Sequence, residues 1–128
     1  MVTGTALQVE AFAREVLGCQ CPAEVFARVR VDEAVAMGDV VLRDRITVGD
    51  RLLIYVVEGE RFANHGHVVE LCRRGAAERD ARGLNRFRLV LAGDGVAAGA
   101  EDATVDGLPD DRCHVHRVSR EEAAWGDA

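Results

Sequence analysis

Leu52-Leu53-Ile54-Tyr55-Val56-Val57 is the clearest apolar run in the chain, and its six residues decide how the rest is read. It is strand-sized, far short of the ~18 apolar residues a membrane span needs. It is apolar on both faces, which predicts a central strand. Val48-Gly49-Asp50-Arg51 just before it is a turn candidate.

Downstream, Phe62 to about Arg82 reads as the main helix. Val68, Val69, Leu71, Cys72 and Ala76 form its apolar stripe, Asn64 is a candidate cap and Gly83 a stop. Arg86-Phe87-Arg88-Leu89-Val90-Leu91 is the next strand. Gly93 to Pro109, rich in Gly, Ala and Asp, reads as a loop. Cys113 to Val118 is a last strand, and Ser119 to Trp125 a short helical tail.

Upstream, Ala27, Val29 and Val31 alternate with Arg28, Arg30 and Asp32, which predicts a half-solvated strand. Residues 34–44 show no clean period, with Gly38-Asp39 as a turn. Thr5-Ala6-Leu7-Gln8 matches a capping box. Val9, Phe12, Ala13 and Val16 then follow at helical spacing, and Gly18 is placed to end that helix. A second short helix is expected from Pro22 to about Arg28. The order α–(α)β–β–α–β–β predicts an α+β fold of one domain, residues 1–128. Its expected form is a two-layer sandwich, with an antiparallel sheet of about four strands, helices on one face, and a ferredoxin-like arrangement in permuted order.

Composition narrows the function classes. The chain has 128 residues, 48% hydrophobic and 30% charged, as expected of a globular domain. No basic residue precedes Arg14 and no apolar signal segment follows, so a cytoplasmic protein is expected, with no membrane partner. All sixteen basic residues are Arg; without Lys there is no Schiff-base or Lys general-base chemistry. The net charge of −6 argues against broad nucleic-acid binding. Ser119 is the one Ser, and nothing around it resembles a nucleophile elbow.

The thiols carry the most specific pattern. Cys19 and Cys21 stand two apart, directly before Pro22, which is favoured at a first helical position. Cys21 at a helix N-cap would have its thiolate stabilised by free N–H groups and the dipole. So short a loop is awkward for a disulfide, which leaves metal binding, thiol exchange or plain burial. All four His fall in two His-x-His pairs, His65/His67 and His114/His116. On a strand, i and i+2 face one side about 6–7 Å apart, within reach of one metal. Cys19, Cys21, His114 and His116 are therefore the candidate ligand set, and zinc is the default metal for it. His65 and His67 would diverge on a helix.

Charge also segregates. Arg73, Arg74, Arg79, Arg82, Arg86 and Arg88 crowd one stretch, with only Glu78 and Asp80 opposing them. Asp94, Glu101, Asp102, Asp106, Asp110 and Asp111 fill the next without a basic residue. Arg73, Arg74, Arg86 and Arg88 are candidate anion-binding residues; the plainer reading is a solvated face beside an acidic loop. Glu58, Glu60, Glu70 and Glu78 show no paired spacing, so no catalytic carboxylate is expected.

The segment Leu17-Gly18-Cys19-Gln20-Cys21-Pro22 with Val25-Phe26 resembles an LGCxCP-xx-VF pattern in small uncharacterised bacterial proteins. Arg79-Asp80 with Gly83-Leu84-Asn85-Arg86-Phe87-Arg88-Leu89-Val90 resembles the other half of that pattern. The resemblance brings no reaction with it. Three expectations follow from the residues. The first is a metal- or thiol-dependent accessory protein centred on Cys19 and Cys21. The second is a non-catalytic α+β binding module, homodimeric through an unpaired sheet edge, with structural cysteines. The third is an enzyme using the Arg73–Arg88 region, disfavoured because no nucleophile–base pair is visible.

Overall fold

A computed structural model describes residues 4–15, 28–37, 40–58, 65–93, 102–103 and 113–118. Along the chain these form α1 (Gly4–Glu15), β1 (Val29–Met37), β2 (Val40–Val48), β3 (Leu52–Glu58), α2 (His65–Ala81), β4 (Arg86–Ala92), β5 (Asp102–Ala103) and β6 (Cys113–Val118). The strands make one sheet in the order β1-β2-β3-β4-β6-β5. The expected short helix at Pro22 and the tail at Ser119–Trp125 lie outside the described residues, apart from Arg28, which is in a bend.

The sheet is mixed, which corrects the antiparallel expectation. β1, β2 and β3 are joined antiparallel, while β3–β4 and β4–β6 are parallel. The cause is the seventeen-residue α2 between two neighbouring strands, because a helical crossover returns the chain in the same direction. The two-residue β5 runs antiparallel beside β6.

The expectation of two layers with helices on one face is also overturned. Val9, Phe12 and Ala13 of α1 pack with Ile46, Val48, Leu52, Ile54, Val56, Val90, Ala92 and Val118. Val68, Leu71, Cys72 and Ala76 of α2 pack with the opposite parity, including Leu53, Tyr55, Val57, Phe87, Leu89, Leu91 and Val115. One helix therefore covers each face. All six residues of Leu52–Val57 are buried because β3 supplies both cores. Removing this apolar surface from water is the main favourable contribution to folding.

The unreadable stretch 34–44 has a physical explanation. Val29 and Val31 pack against the α1 core, yet Val35 packs against the α2 core. On β2, Ile46 belongs to the α1 core and Leu42 to the α2 core. The register still pairs Glu33 with Asp44 and Val35 with Leu42, so both strands change face together. Ala34 sits at that change with φ of 50°, a left-handed conformation that costs a side-chain-bearing residue energy. A parity that reverses mid-strand leaves no period for a sequence pattern to show.

Turns and stops match the sequence more directly. Gly49 takes a positive φ between β2 and β3. At the end of α2, Gly83 has φ of 69°; its N–H bonds the Asp80 carbonyl, and the Leu84 N–H reaches back to that of Arg79. This pair of bonds is a Schellman stop, and buried Leu84 supplies its apolar contact.

Candidate functional site

Three groups of polar side chains are built into this frame. The first fastens α2 to the β1–β3 side of the sheet. Tyr55 is fully buried, its hydroxyl donates to Glu78 Oε1, and its ring meets Phe87 edge-on at 4.8 Å between centroids. Arg82 Nη1 donates to Glu78 Oε2 at 2.9 Å, and Arg82 Nη2 donates to Thr47 Oγ1 at 3.0 Å. Arg45 lies 3.6 Å from Glu78 and donates to Asp32 at 3.3 Å; Arg30 donates to the other Asp32 oxygen at 3.0 Å. Burial, and then the Glu78 carboxylate, hold the Tyr55 hydroxyl protonated well beyond its usual range. Burial opposes the Asp32 charge, but the bonds and charges of Arg30 and Arg45 outweigh it and hold its pKa below 3.8. Both carboxylates of this chain, Asp32 and Glu78, are engaged by arginines within the fold, which makes it a fastening of α2 to the sheet.

The second group is Arg79, Cys113 and Cys72. Among the described residues Arg79 is the largest wholly buried side chain, at 0% exposure. Its Nη1 lies 3.5 Å from Cys113 Sγ, while Nε and Nη2 each reach Asp80 Oδ1 at 3.0 Å. Burial, and secondarily Cys113, push the Cys72 thiol up to about 12. A thiol so rarely ionised near neutral pH is a poor nucleophile and a poor metal ligand.

The third group faces α1. Val115 and Cys113 point into the α2 core and Val118 into the α1 core, so alternation places His114 and His116 together on the α1 side of β6. Val90 and Ala92 of β4 share that face, and so does Arg88. Arg88 is the register partner of His114, and Val90 that of His116. Arg88 is 8% exposed, His116 2%, and His114 half-buried. None of the three is a free group in the fold. Directly paired strand residues lie about 5 Å apart, so Arg88, whose guanidinium is permanently charged, neighbours His114 directly and His116 diagonally on this face.

The candidate residues are thus divided. His114 and His116 share a face, as the strand spacing required, and Arg88 joins them. Cys19 and Cys21 lie outside the described residues. Among the described residues no cluster of three or more His, Cys, Asp or Glu is gathered for a metal. Arg73 and Arg74 are exposed on α2 and both pair with Glu70, at 3.3 and 3.2 Å; the sheet lies between them and Arg88. Arg86 is exposed at the start of β4. The four arginines do not form one surface. His65 and His67 fall in the first turn of α2.

Sequence reasoning listed Arg88 and the histidines separately and missed their adjacency. The signal was present: Arg-x-Arg in one strand and His-x-His in another would meet if those strands were neighbours. Only the parallel pairing of β4 with β6 supplies that. Comparison with protein-family models, with curated proteins and with solved structures returned no match. Among the described residues no helix is long and apolar enough to cross a membrane.

Proposed function

We propose that this protein is a cytoplasmic, non-catalytic binding module that takes an anionic group, a carboxylate or a phosphate, at Arg88, His114 and His116. The observation that carries the reading is the register pairing of Arg88 with His114, with His116 next on the same face. Arg offers planar paired donors suited to both oxyanions, and imidazole adds one or two more. In a largely desolvated setting such donors act more strongly than on an open surface. A cation would meet the guanidinium charge at the same place.

A second reading keeps the metal. His114 and His116 present two imidazoles to one side, which supports a zinc site completed by Cys19 and Cys21 in an accessory protein. One experiment separates them. Inorganic phosphate and zinc are each titrated against the wild type, His114→Gln, Arg88→Gln and a Cys19→Ser/Cys21→Ser variant. The anion reading expects saturable phosphate binding weakened at least tenfold in His114→Gln and Arg88→Gln and unchanged by the cysteine changes. Stoichiometric zinc lost with the cysteines, and no phosphate binding, would establish the second reading.

A further inference from the structure

Among the described residues the sheet has two unlike edges. β5 ends one side with two residues, while the other is closed by the nine residues of β1. A long edge strand is a template for pairing unless something blunts it. Charges and a kink are the usual devices, and β1 has both, but they are arranged in a particular way.

The backbone gives the polarity. The Gly49 N–H donates to the Arg28 carbonyl at 2.8 Å, so Arg28 directs its backbone groups toward β2. With antiparallel alternation, Arg30 and Asp32 do the same, and Val29, Val31 and Glu33 turn their N–H and C=O groups to the outside. Ala34, with its positive φ and the change of face, ends the regular stretch. The strand available at the edge is therefore residues 29–33.

We propose that this stretch pairs antiparallel with the same stretch of a second copy of the chain, about a twofold axis through Val31. Charge complementarity selects that register. Shifting the axis to Arg30 sets Arg30 against Arg30, and shifting it to Asp32 sets Asp32 against Asp32. Centring on Glu33 opposes two carboxylates and runs into Ala34; centring on Val29 sets Arg28 against Arg30. About Val31, Arg30 faces Asp32 of the second copy, twice by symmetry, and no like charges are opposed. These are the non-hydrogen-bonded positions of the new ladder, where facing side chains come closest. Val31, half-buried in one copy, meets its equivalent on the α1 side. The interface is isologous, as a closed dimer requires. It stands apart from the Arg88 cluster, with β2 and β3 between β1 and β4, and is independent of the reading given there.

The test is sedimentation equilibrium from about 10 μM to 1 mM, because a short ladder lies at the small end of specific interfaces. Wild type is expected to rise from 13.9 kDa toward twice that mass. Arg30→Asp and Asp32→Arg are each expected to stay at the monomer mass, since each opposes like charges. Mixed in equal amounts, they are expected to regain the dimer, because both facing 30/32 pairs then set a carboxylate against a guanidinium. Val31→Pro deletes an outward N–H and no bond to β2, and is expected to be monomeric with an unchanged circular dichroism spectrum. A monomeric wild type across the range, a dimer that survives Val31→Pro, or a mixture that stays monomeric would each overturn the proposal.

Discussion

Replacing Gly75 by Ala tests the packing that fixes α2 on the sheet. A methyl built on Gly75 would stand 2.6 Å from Cδ1 of Phe87 and nearer still to Cε1 and Cζ. Carbon atoms prefer about 3.5–4.0 Å, so ring or helix must retreat by roughly 1 Å or more. Phe87 has no room to give: it is fully buried and held edge-on against Tyr55. Overpacking of this kind costs about 1–3 kcal/mol, and a rigid ring places it near the upper end. Ala at a helix interior position returns about 1 kcal/mol of propensity. The net expectation is a loss of about 2 kcal/mol, or roughly 6–10 °C in Tm for a domain of this size. Urea denaturation followed by circular dichroism reads it. Adding Phe87→Leu should make the double variant more stable than the sum of the single losses by about 1 kcal/mol or more. A Gly75→Ala protein as stable as wild type, or more so, would refute the close approach of α2 to β4.

Tyr55→Phe keeps the ring contact with Phe87 and removes the hydroxyl bond to Glu78, whose charge retains Arg45 and Arg82. The expected loss is about 1–2 kcal/mol by chemical denaturation, and Glu78→Gln should cost Tyr55→Phe most of its effect. Ala34→Gly relieves the left-handed backbone and should raise stability by about 0.5–1 kcal/mol, read as a higher Tm; a loss would show that the alanine is not strained. Alkaline unfolding follows from the raised Cys72 and Tyr55 values. Both groups stay protonated in the fold above their ordinary 9.0 and 10.0, so their contribution is complete below pH 9 and is lost as pH rises toward about 12 for Cys72. Each proton contributes a slope of about 1.4 kcal/mol per pH unit, and the absence of Lys leaves that window unusually clear. Cys72→Ala should flatten the fall between pH 9 and 10 in stability measured against pH.

Much of the fold was legible where local chemistry decides it. Leu52–Val57 announced a central strand through its double-sided apolarity, Gly83 announced the stop of α2, and Arg86–Leu91 and Cys113–Val118 announced β4 and β6. That same apolarity also carried the information that both faces are covered. Read for position alone, it left the helices on one face and the sheet antiparallel. β2 escaped because Leu42 and Ile46, equal in parity, point to opposite faces. The candidate site was legible only in part: the strand spacing aligned His114 with His116, but their meeting with Arg88 depends on which strands are neighbours. Arg79, wholly buried beside Cys113, was legible only as one more charge in an arginine-rich stretch.

The central claim is that Arg88, His114 and His116 act together on an anion, and the four histidines provide both reporter and control. Long-range nitrogen–proton spectra of the imidazole rings would be followed while inorganic phosphate is added at constant pH and ionic strength. The expected result is that His114 and His116 shift together along one saturating curve while His65 and His67 stay still, and that Arg88→Gln abolishes the shift. Rings that do not move, or four rings that move alike without saturating, would contradict the account.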